Sequence, residues 1–255
     1  MSLFKTFLKL HQGPEPLVLG NTWDVKSAQV FEAAGYRAIG ISSQALSTTF
    51  GYNDGENLPF ALVLQVAKRV VETVKIPFTV DMEAGYSRTI EGIKENISKL
   101  HDIGVVGINL EDTIPGATRT LQPVSDFQRT LEALAGHISR NNLEIFLNVR
   151  TDGFLLGLPN ALEETLTRIK GYENTGANGI FTPCITTADD IRQVVNATAL
   201  PINVMCMPQL PGFDELARLG VKRISMGPFL ANKVYENAVR LATTVTSDKN
   251  FKSIV

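Results

Sequence analysis

Acidic and basic side chains follow three stretches of β-forming residues in this chain of 255 residues. The residues concerned are Asp81 and Glu83, then Glu111 and Asp112, then Arg150 and Asp152. In parallel α/β folds, side chains that follow successive strands meet at one rim, where such folds place their chemistry. We therefore expect these residues to form one polar site.

The first acidic pair indicates a metal ion. Asp81 and Glu83 are two positions apart at a strand end, so both side chains are expected on one side of the pleat, where they repel each other. A divalent cation between them removes that repulsion, and Glu111 adds a third oxygen directly or through water. Oxygen ligands suit Mg²⁺, with Mn²⁺ as the alternative ion. The competing interpretation is that these acids only cap the following helices.

Arg150 is the candidate partner of an anionic substrate. A guanidinium group at the rim can bind a carboxylate or phosphonate through two parallel hydrogen bonds. The alternative is an ordinary salt bridge from Arg150 to Asp152 or Glu111. The residues alone leave both interpretations open.

The segment after the second predicted strand supplies further polar groups. Ser42, Ser43 and Gln44 offer hydroxyls and successive backbone N–H groups that can form an anion-binding nest, although such residues are also common in loops. Asp54 lies in an Asn-Asp-Gly sequence, so it is either a turn residue, which composition favours, or a carboxylate directed at the reacting centre.

Histidine and cysteine contribute little to this picture. None of the three histidines, His11, His101 and His137, falls at the carboxyl end of a predicted strand, so we assign them no catalytic role. Cys206 ends a predicted strand but has no adjacent His or Lys to lower its pKa, and we expect a buried, inert thiol.

Strands and helices alternate along the whole chain, with no linker between them. Segments with apolar residues at helical spacing, such as 61–74 and 162–172, separate the strands, and glycines at 35, 104, 176 and 220 are expected to end helices. Eight such units predict one α/β domain over residues 1–255, a (β/α)8 TIM barrel rather than an open doubly wound sheet. The predicted strands are 17–21, 38–42, 77–82, 107–112, 145–150, 179–183, 201–205 and 223–227.

Composition excludes several classes of partner. Lys and Arg total 24 against 26 Asp and Glu, so the chain lacks the basic field that nucleic acid requires. No apolar run is long enough to span a bilayer, and we expect no membrane partner. Two cysteines outside any CxxC pattern favour a reducing compartment, so the expected location is the cytoplasm.

Five motifs together resemble the phosphoenolpyruvate mutase and isocitrate lyase superfamily. They are NTWDVKSAQVFEAAGYRAIGISS, GYNDGE, VDMEAGY, INLED and NVRTDGF, and the resemblance covers residues 17–240. It implies a barrel with an exchanged eighth helix, assembly into homodimers or homotetramers, and a Mg²⁺ site that positions a small 2-oxo or 2-hydroxy carboxylate. The chemistry it implies is the making or breaking of a C–C or P–C bond through an enolate.

The resemblance also implies a role for each candidate residue. Ser42, Ser43 and Gln44 match the segment that holds the substrate carboxylate, and Asp54 matches an aspartate beside the reacting centre. The remaining matches are Asp81, Glu83 and Glu111 to the metal-binding acids, with Glu83 in place of the more usual aspartate, and Arg150 to the substrate-contacting arginine. We take Asp54, Glu111 and Arg150 as the catalytic set.

The loop after the fourth strand departs from this pattern. It reads EDTIPGATRTLQP and has no Lys, Cys or His between Asp112 and Pro123, leaving Arg119 and three threonines, Thr113, Thr118 and Thr120. The mutase-type histidine is replaced near Pro183. We predict a Mg²⁺-dependent lyase that cleaves a C–C bond of a small di- or tricarboxylate. The alternatives are a phosphonate-processing mutase or hydrolase, or a barrel that binds a carboxylate without catalysis.

Overall fold

Eight short, buried strands form the centre of the molecule. In the computed structural model, which describes residues 1–116 and 118–255, every strand pair of this sheet is parallel. The first strand, Leu17–Thr22, pairs with both Ile39–Ile41 and Arg223–Ser225, which closes the ring and confirms the predicted barrel and its eight strands. The barrel strands are β1 (Leu17–Thr22), β2 (Ile39–Ile41), β3 (Phe78–Asp81), β4 (Gly107–Glu111), β7 (Phe146–Arg150), β8 (Gly179–Thr182), β9 (Ile202–Met205) and β10 (Arg223–Ser225).

Helices cover the outside of the barrel, and one small hairpin follows β4. The apolar spacing in 61–74 and 162–172 corresponds to α4 and α7, which confirms both predicted helices. The helices are α1 (Leu3–Leu10), α2 (Val25–Ala33), α3 (Ser43–Thr49), α4 (Phe60–Val71), α5 (Ile90–Asp102), α6 (Val124–Arg140), α7 (Ala161–Tyr172), α8 (Ala188–Asn196), α9 (Phe213–Leu219) and α10 (Phe229–Asp248). The hairpin pairs β5 (Thr113–Ile114) with β6 (Thr120–Leu121) in antiparallel register.

The barrel strands are buried because helices lie on their outer side and side chains fill the interior. Ile108 and Leu110 of β4, for example, are 1% and 0% exposed and belong to the main core. Helix α1 closes the amino end of the barrel with a second apolar cluster that includes Phe7 and Phe146. The opposite end, where the strands terminate, is therefore the end left for a site.

Left-handed glycines return the chain from helix to strand. Gly35, Gly104, Gly176 and Gly220 have φ between +85° and +98°, as the sequence predicts for helix ends. Each is followed within a few residues by a barrel strand, so these turns determine where the next strand begins.

Helix α10 leaves the barrel of its own chain. It is 20 residues long, yet within it a single residue, Ala231, is buried. Val234, Tyr235 and Val239 are 45%, 44% and 66% exposed. Beside its first turn, an apolar groove is lined by residues that include Phe213, Met226 and Leu230. Ala231 packs in the main core and Tyr235 lies beside Trp23, but most of the apolar surface of this helix is left exposed by its own chain.

Both cysteines are free thiols, and one prediction about them is wrong. Cys206 is exposed rather than buried. β9 ends at Met205, so Cys206 lies outside the barrel wall at the edge of the groove beside α10. Across the described residues, no helix combines the length and apolarity needed to cross a bilayer.

Candidate active site at the carboxyl end of the barrel

A cavity of about 210 Å³ opens where the barrel strands end. Six of the eight predicted site residues line it, namely Ser42, Ser43, Gln44, Asp54, Asp81 and Arg150, whereas Glu83 and Glu111 do not. Asn21, Asn109 and Ser225 also line the cavity, although sequence reasoning did not select them. Asn109 is two residues before Glu111 on β4, so strand alternation would have placed it on the same side of the sheet. The predicted meeting of rim residues therefore occurs for most of the set.

Asp81 ends β3 and faces the cavity. The hydroxyl of Ser43 donates to its Oδ2 at 2.9 Å. Its Oδ1 is buried and has no hydrogen-bond partner among the described residues. A buried carboxylate oxygen without a partner is costly, so this atom is a natural point for an additional cation or donor.

Glu83, two residues after Asp81, is buried, and its carboxylate is hydrogen-bonded to other protein groups. β3 ends at Asp81, and Glu83 has a φ of +49°, so the pleat that would align the two acids does not continue. The Glu83 carboxylate accepts hydrogen bonds from the backbone N–H of Glu56 and the hydroxyl of Tyr86, both at 2.9 Å. Burial, with the charges of Asp54 and Asp81, raises its pKa to about 8. Glu83 thus joins the loop that carries Asp54 to the end of β3.

Arg150 both forms a salt bridge and faces the cavity. Its Nε donates to Asp152 Oδ1 at 2.6 Å and its Nη2 donates to Asp152 Oδ2 at 3.0 Å. The remaining nitrogen, Nη1, lies 3.1 Å from Glu111 Oε2 and 3.9 Å from Asp81 Oδ2. The two interpretations of Arg150 are therefore compatible, because one edge of the guanidinium group is anchored while the other is directed at the acids of the site.

Glu111 is buried beneath the cavity, with 1% of its surface exposed. Thr113 donates a hydrogen bond to its Oε1. Burial raises the pKa of Glu111 to about 7, an effect that the nearby Arg150 opposes. The carboxylate is thus only weakly stabilised as an anion by the protein groups around it.

Arg119 reaches the site from the hairpin after β4. Its guanidinium lies 3.6 Å from Asp54 Oδ2, 3.7 Å from Glu111 Oε1 and 3.5 Å from Asp152 Oδ2. The neighbouring position 117 lies outside the described residues. The loop that lacks Lys, Cys and His therefore still brings one cation to the reacting end of the barrel.

Three further predicted residues line the cavity, namely Ser42, Gln44 and Asp54. The Ser42 hydroxyl accepts from the backbone N–H of Ala45 at 3.3 Å and caps α3, so this oxygen is already engaged. Gln44 is exposed, and the Asp54 side chain is 35% exposed. Burial and the charge of Asp81 raise the pKa of Asp54. Asp54 and Gln44 are therefore the lining groups that a ligand can approach from solvent.

Asp112 takes no part in the cavity, in contrast to its neighbour Glu111. It is 0% exposed and pairs with Arg168 Nη1 at 3.0 Å, while the hydroxyl of Tyr172 donates to it at 3.1 Å. The backbone N–H of Asp152 also approaches its other oxygen at 3.3 Å. This contact set attaches α7 to the ends of β4 and β7 and supports the site from outside.

The donor set fits a divalent cation. Four carboxylates face two guanidinium groups, which leaves an excess of negative charge; the acids are Asp54, Asp81, Glu111 and Asp152, and the bases are Arg119 and Arg150. Among residues 1–116 and 118–255, no three His, Cys, Asp or Glu side chains are grouped closely enough to hold a metal ion by direct coordination alone. An ion here would depend on Asp81 Oδ1 and on water, with Glu111 Oε2 as a second buried oxygen that lacks a hydrogen-bond partner among the described residues. Mg²⁺ commonly binds through few protein oxygens and several waters.

Comparison with known proteins extends over nearly the whole chain. The family model for phosphoenolpyruvate phosphomutase matches residues 7–246. An uncharacterised protein of Mycobacterium tuberculosis is 30% identical over 222 residues, which cover 87% of this chain and 81% of that protein. The 2-methylisocitrate lyase of Shewanella oneidensis is 23% identical over 94% of this chain and 84% of its own length. The oxaloacetate decarboxylase of a Bradyrhizobium strain is 24% identical over 80% and 70%.

Solved structures of similar proteins also match nearly the whole chain. A candidate phosphonomutase from Burkholderia cenocepacia J2315 has a TM-score of 0.89 and 34% identity, covering 94% of this chain and 98% of that one. A phosphonopyruvate hydrolase, solved with oxalate and Mg²⁺, has a TM-score of 0.88 and 20% identity, covering 100% and 90%, and so shows the shared fold. The barrel, the cavity at its carboxyl end and the match over residues 7–246 lead to one conclusion: this chain belongs to the phosphoenolpyruvate phosphomutase family of enzymes.

Proposed function

We propose that this protein is a Mg²⁺-dependent lyase that cleaves a C–C bond of a small 2-oxo or 2-hydroxy di- or tricarboxylate. The observation that carries the proposal is that Asp81 has a buried Oδ1 with no hydrogen-bond partner among the described residues, while its Oδ2 lies 3.9 Å from Nη1 of Arg150, and both residues line one small cavity. One group is suited to a cation and the other to an anion. Relatives named 2-methylisocitrate lyase and oxaloacetate decarboxylase support C–C cleavage in a small carboxylate.

Asp81 would hold the ion directly, and Glu83 and Glu111 would act through water. Glu83 and Glu111 each already accept a hydrogen bond from a protein group, and each oxygen keeps a lone pair for a water molecule. Mn²⁺ suits the same donors. Bound Mg²⁺ supplies Lewis-acid stabilisation of negative charge on the substrate oxygens.

The chain's own residues bind and orient the substrate. Nη1 of Arg150 donates to the substrate oxygen that becomes negative as the C–C bond breaks, and its orientation is maintained by Asp152. Ser43 keeps Asp81 in place. Asp54 lines the cavity within reach of solvent. We assign it one proton transfer: it accepts the hydroxyl proton of a 2-hydroxy substrate as the C–C bond breaks, or, when protonated, it donates a proton to the enolate carbon that a 2-oxo substrate leaves.

The decisive experiment measures binding before activity. Isothermal titration calorimetry with Mg²⁺, then with oxalate in the presence of Mg²⁺, should show binding of both to the wild type and a large loss in Asp81→Asn. Undiminished Mg²⁺ binding in Asp81→Asn would overturn the metal site. Turnover of oxaloacetate, isocitrate, methylisocitrate or dimethylmalate should then be detected. Retained oxalate binding without turnover would favour a barrel that binds carboxylates without catalysis.

A phosphonate substrate is the second candidate. It is favoured by the candidate phosphonomutase structure at 34% identity and disfavoured by the loop, which has no Lys between Asp112 and Pro123 to neutralise a transferring phosphoryl group. Turnover of phosphonopyruvate distinguishes the two functions: a hydrolase releases inorganic phosphate and a mutase forms phosphoenolpyruvate, whereas the lyase produces neither.

We also propose that the protein is a cytoplasmic homodimer or homotetramer in which α10 packs on the barrel of a second copy. The exposed apolar residues of α10 and the apolar groove beside its first turn support this exchange, because each needs a partner surface. Two free thiols without a disulfide suit a reducing compartment.

A further inference from the structure

Arg119 occupies a position that the proposed function leaves without a role. It precedes β6 in the hairpin that follows Glu111 and Asp112, and it lines the cavity. Its side chain is 20% exposed, so it is accessible from the cavity while most of it is covered. It is the basic residue that the loop places at the site.

The contacts of Arg119 are long and divided. Its three carboxylate neighbours, Asp54, Glu111 and Asp152, lie 3.5–3.7 Å away. The engaged arginines of this molecule differ, since Arg150 reaches Asp152 at 2.6 Å and Arg168 reaches Asp112 at 3.0 Å. A guanidinium group has five N–H donors. Among the described residues, Arg119 uses one of them, in a bond of 3.5 Å to Asp152.

Two buried acids, Glu111 and Asp152, lie between the guanidinium groups of Arg119 and Arg150. Glu111 is approached by Arg119 at Oε1 and by Arg150 at Oε2. Asp152 Oδ2 is likewise 3.5 Å from Arg119 Nη1 and 3.0 Å from Arg150 Nη2. The acids keep the two guanidinium groups apart while offsetting their mutual repulsion. A ligand with one acidic group can satisfy one of them, whereas a ligand with two can satisfy both.

We propose that Arg119 is a specificity-determining residue that binds the second acidic group of the substrate, on the side of the cavity that Asp54 lines. The inference rests on the proposed function, since Asp81 and Arg150 define the first end. It adds the residue, Arg119, through which the site prefers these di- or tricarboxylates to 2-oxo or 2-hydroxy monocarboxylates. The cavity of about 210 Å³ is below the usual size of pockets for drug-sized ligands and suits a molecule of a few carbon atoms.

Malate and 2-hydroxybutyrate provide the test, because they have the same number of carbons and differ by a terminal carboxylate against a methyl group. With Mg²⁺ present, calorimetry should show the wild type binding malate at least about tenfold more tightly, as expected for a charge-assisted hydrogen bond. Arg119→Met should remove most of this preference and leave oxalate affinity within about threefold, because oxalate has no carbon between its two carboxylates and is expected to bind at the Asp81 and Arg150 end. Arg119→Lys should retain part of the preference.

Controls separate the inference from the proposed function. Arg129→Met removes a side chain that is 72% exposed on α6 and should leave all three affinities unchanged. If oxalate fails to bind the wild type with Mg²⁺, the proposed function fails. If oxalate binds and the ratio of malate to 2-hydroxybutyrate affinity is the same in Arg119→Met as in the wild type, Arg119 is not the specificity residue although the function stands. An equal loss of oxalate and malate affinity in Arg119→Met would also overturn the assignment of Arg119 as the specificity residue.

Discussion

Arg150 and Asp152 form a two-point ion pair at the end of β7, with Nε and Nη2 of the arginine donating to the two carboxylate oxygens at 2.6 and 3.0 Å. Asp152 is 0% exposed, so this pair is protected from water. The arrangement turns the third guanidinium nitrogen toward Asp81 and Glu111. Asp152 therefore fixes the orientation in which Arg150 faces the cavity.

Asp152→Asn should loosen Arg150 without changing side-chain size. We expect the free energy of unfolding to fall by about 3 kcal/mol because a buried guanidinium loses its charged partner. Affinity for oxalate with Mg²⁺ should fall about tenfold, as expected when one charge-assisted hydrogen bond is lost. Urea denaturation and calorimetry measure the two effects.

The control for this variant is a similar pair on the surface. Asp126 lies 2.6 Å from Arg129 on α6, with the two side chains 50% and 72% exposed. Asp126→Asn should lower the free energy of unfolding by less than about 1 kcal/mol and leave oxalate affinity unchanged. Equal effects of the two substitutions would show that Asp152 has no special role.

Asp81 and Glu83 should differ in their contribution to Mg²⁺ binding. Asp81→Asn should reduce Mg²⁺ affinity by about 100-fold or more, while Glu83→Gln, which changes a residue acting through water, should reduce it about tenfold. The physical reason is that Asp81 has an unpartnered oxygen, whereas both Glu83 oxygens accept hydrogen bonds. Calorimetric titration gives both values, and a larger loss in Glu83→Gln would reverse the assignment.

His11 should make the protein less stable in mild acid. Its ring donates from Nδ1 to the Phe7 carbonyl oxygen at 2.8 Å and stacks on Phe146. Burial and the nearby Arg223 lower its pKa from 6.5 to about 4. Between these values the unfolded chain binds a proton that the folded chain does not, so stability is retained above pH 6.5 and falls as the pH decreases. The total loss is about 3 kcal/mol.

His11→Phe keeps the aromatic contact and removes the titration. Urea denaturation of the wild type and the variant from pH 7.5 to pH 4 should show a shallower decrease for His11→Phe. His101→Phe, on the outside of α5, should follow the wild type. Parallel pH curves for His11→Phe and the wild type would contradict the proposed cause.

The Asp112 contacts should dominate stability at the outer side of the site. Arg168→Met leaves the buried Asp112 carboxylate without its cation, and we expect a loss of about 3–5 kcal/mol in the free energy of unfolding. Tyr172→Phe removes one hydrogen bond to the same carboxylate and should cost about 1 kcal/mol. Urea denaturation measures both, and similar small losses would mean that Asp112 does not depend on Arg168.

The exposed face of α10 should control assembly. Val234→Glu and Val239→Glu place charges on residues that are 45% and 66% exposed in the single chain, and we expect them to shift the protein toward the monomer. Val30→Glu, at a 53% exposed position on α2, should not. Light scattering after size-exclusion chromatography measures the mass. An unchanged oligomer in both α10 variants would exclude this face as the interface.

Much of the fold could be predicted from local patterns. Apolar β-forming runs, apolar residues at helical spacing and glycines at helix ends depend on residues that are near one another in the chain. These patterns predicted the eight strands, helices such as α4 and α7, and the turns at Gly104 and Gly220. The meeting of Asp81, Glu111 and Arg150 also followed, because parallel strands bring their carboxyl ends to one rim.

The sequence by itself determined the barrel, the family resemblance and which strand ends carry acids and bases. Only the tertiary structure decided what each group contacts. Glu83 does not continue the pleat of Asp81 because the backbone becomes left-handed there, and Arg119 meets Asp54 because a hairpin follows β4. Cys206 is exposed because it lines the open groove beside α10. These outcomes depend on packing between segments that are distant in the chain, and no local periodicity encodes them.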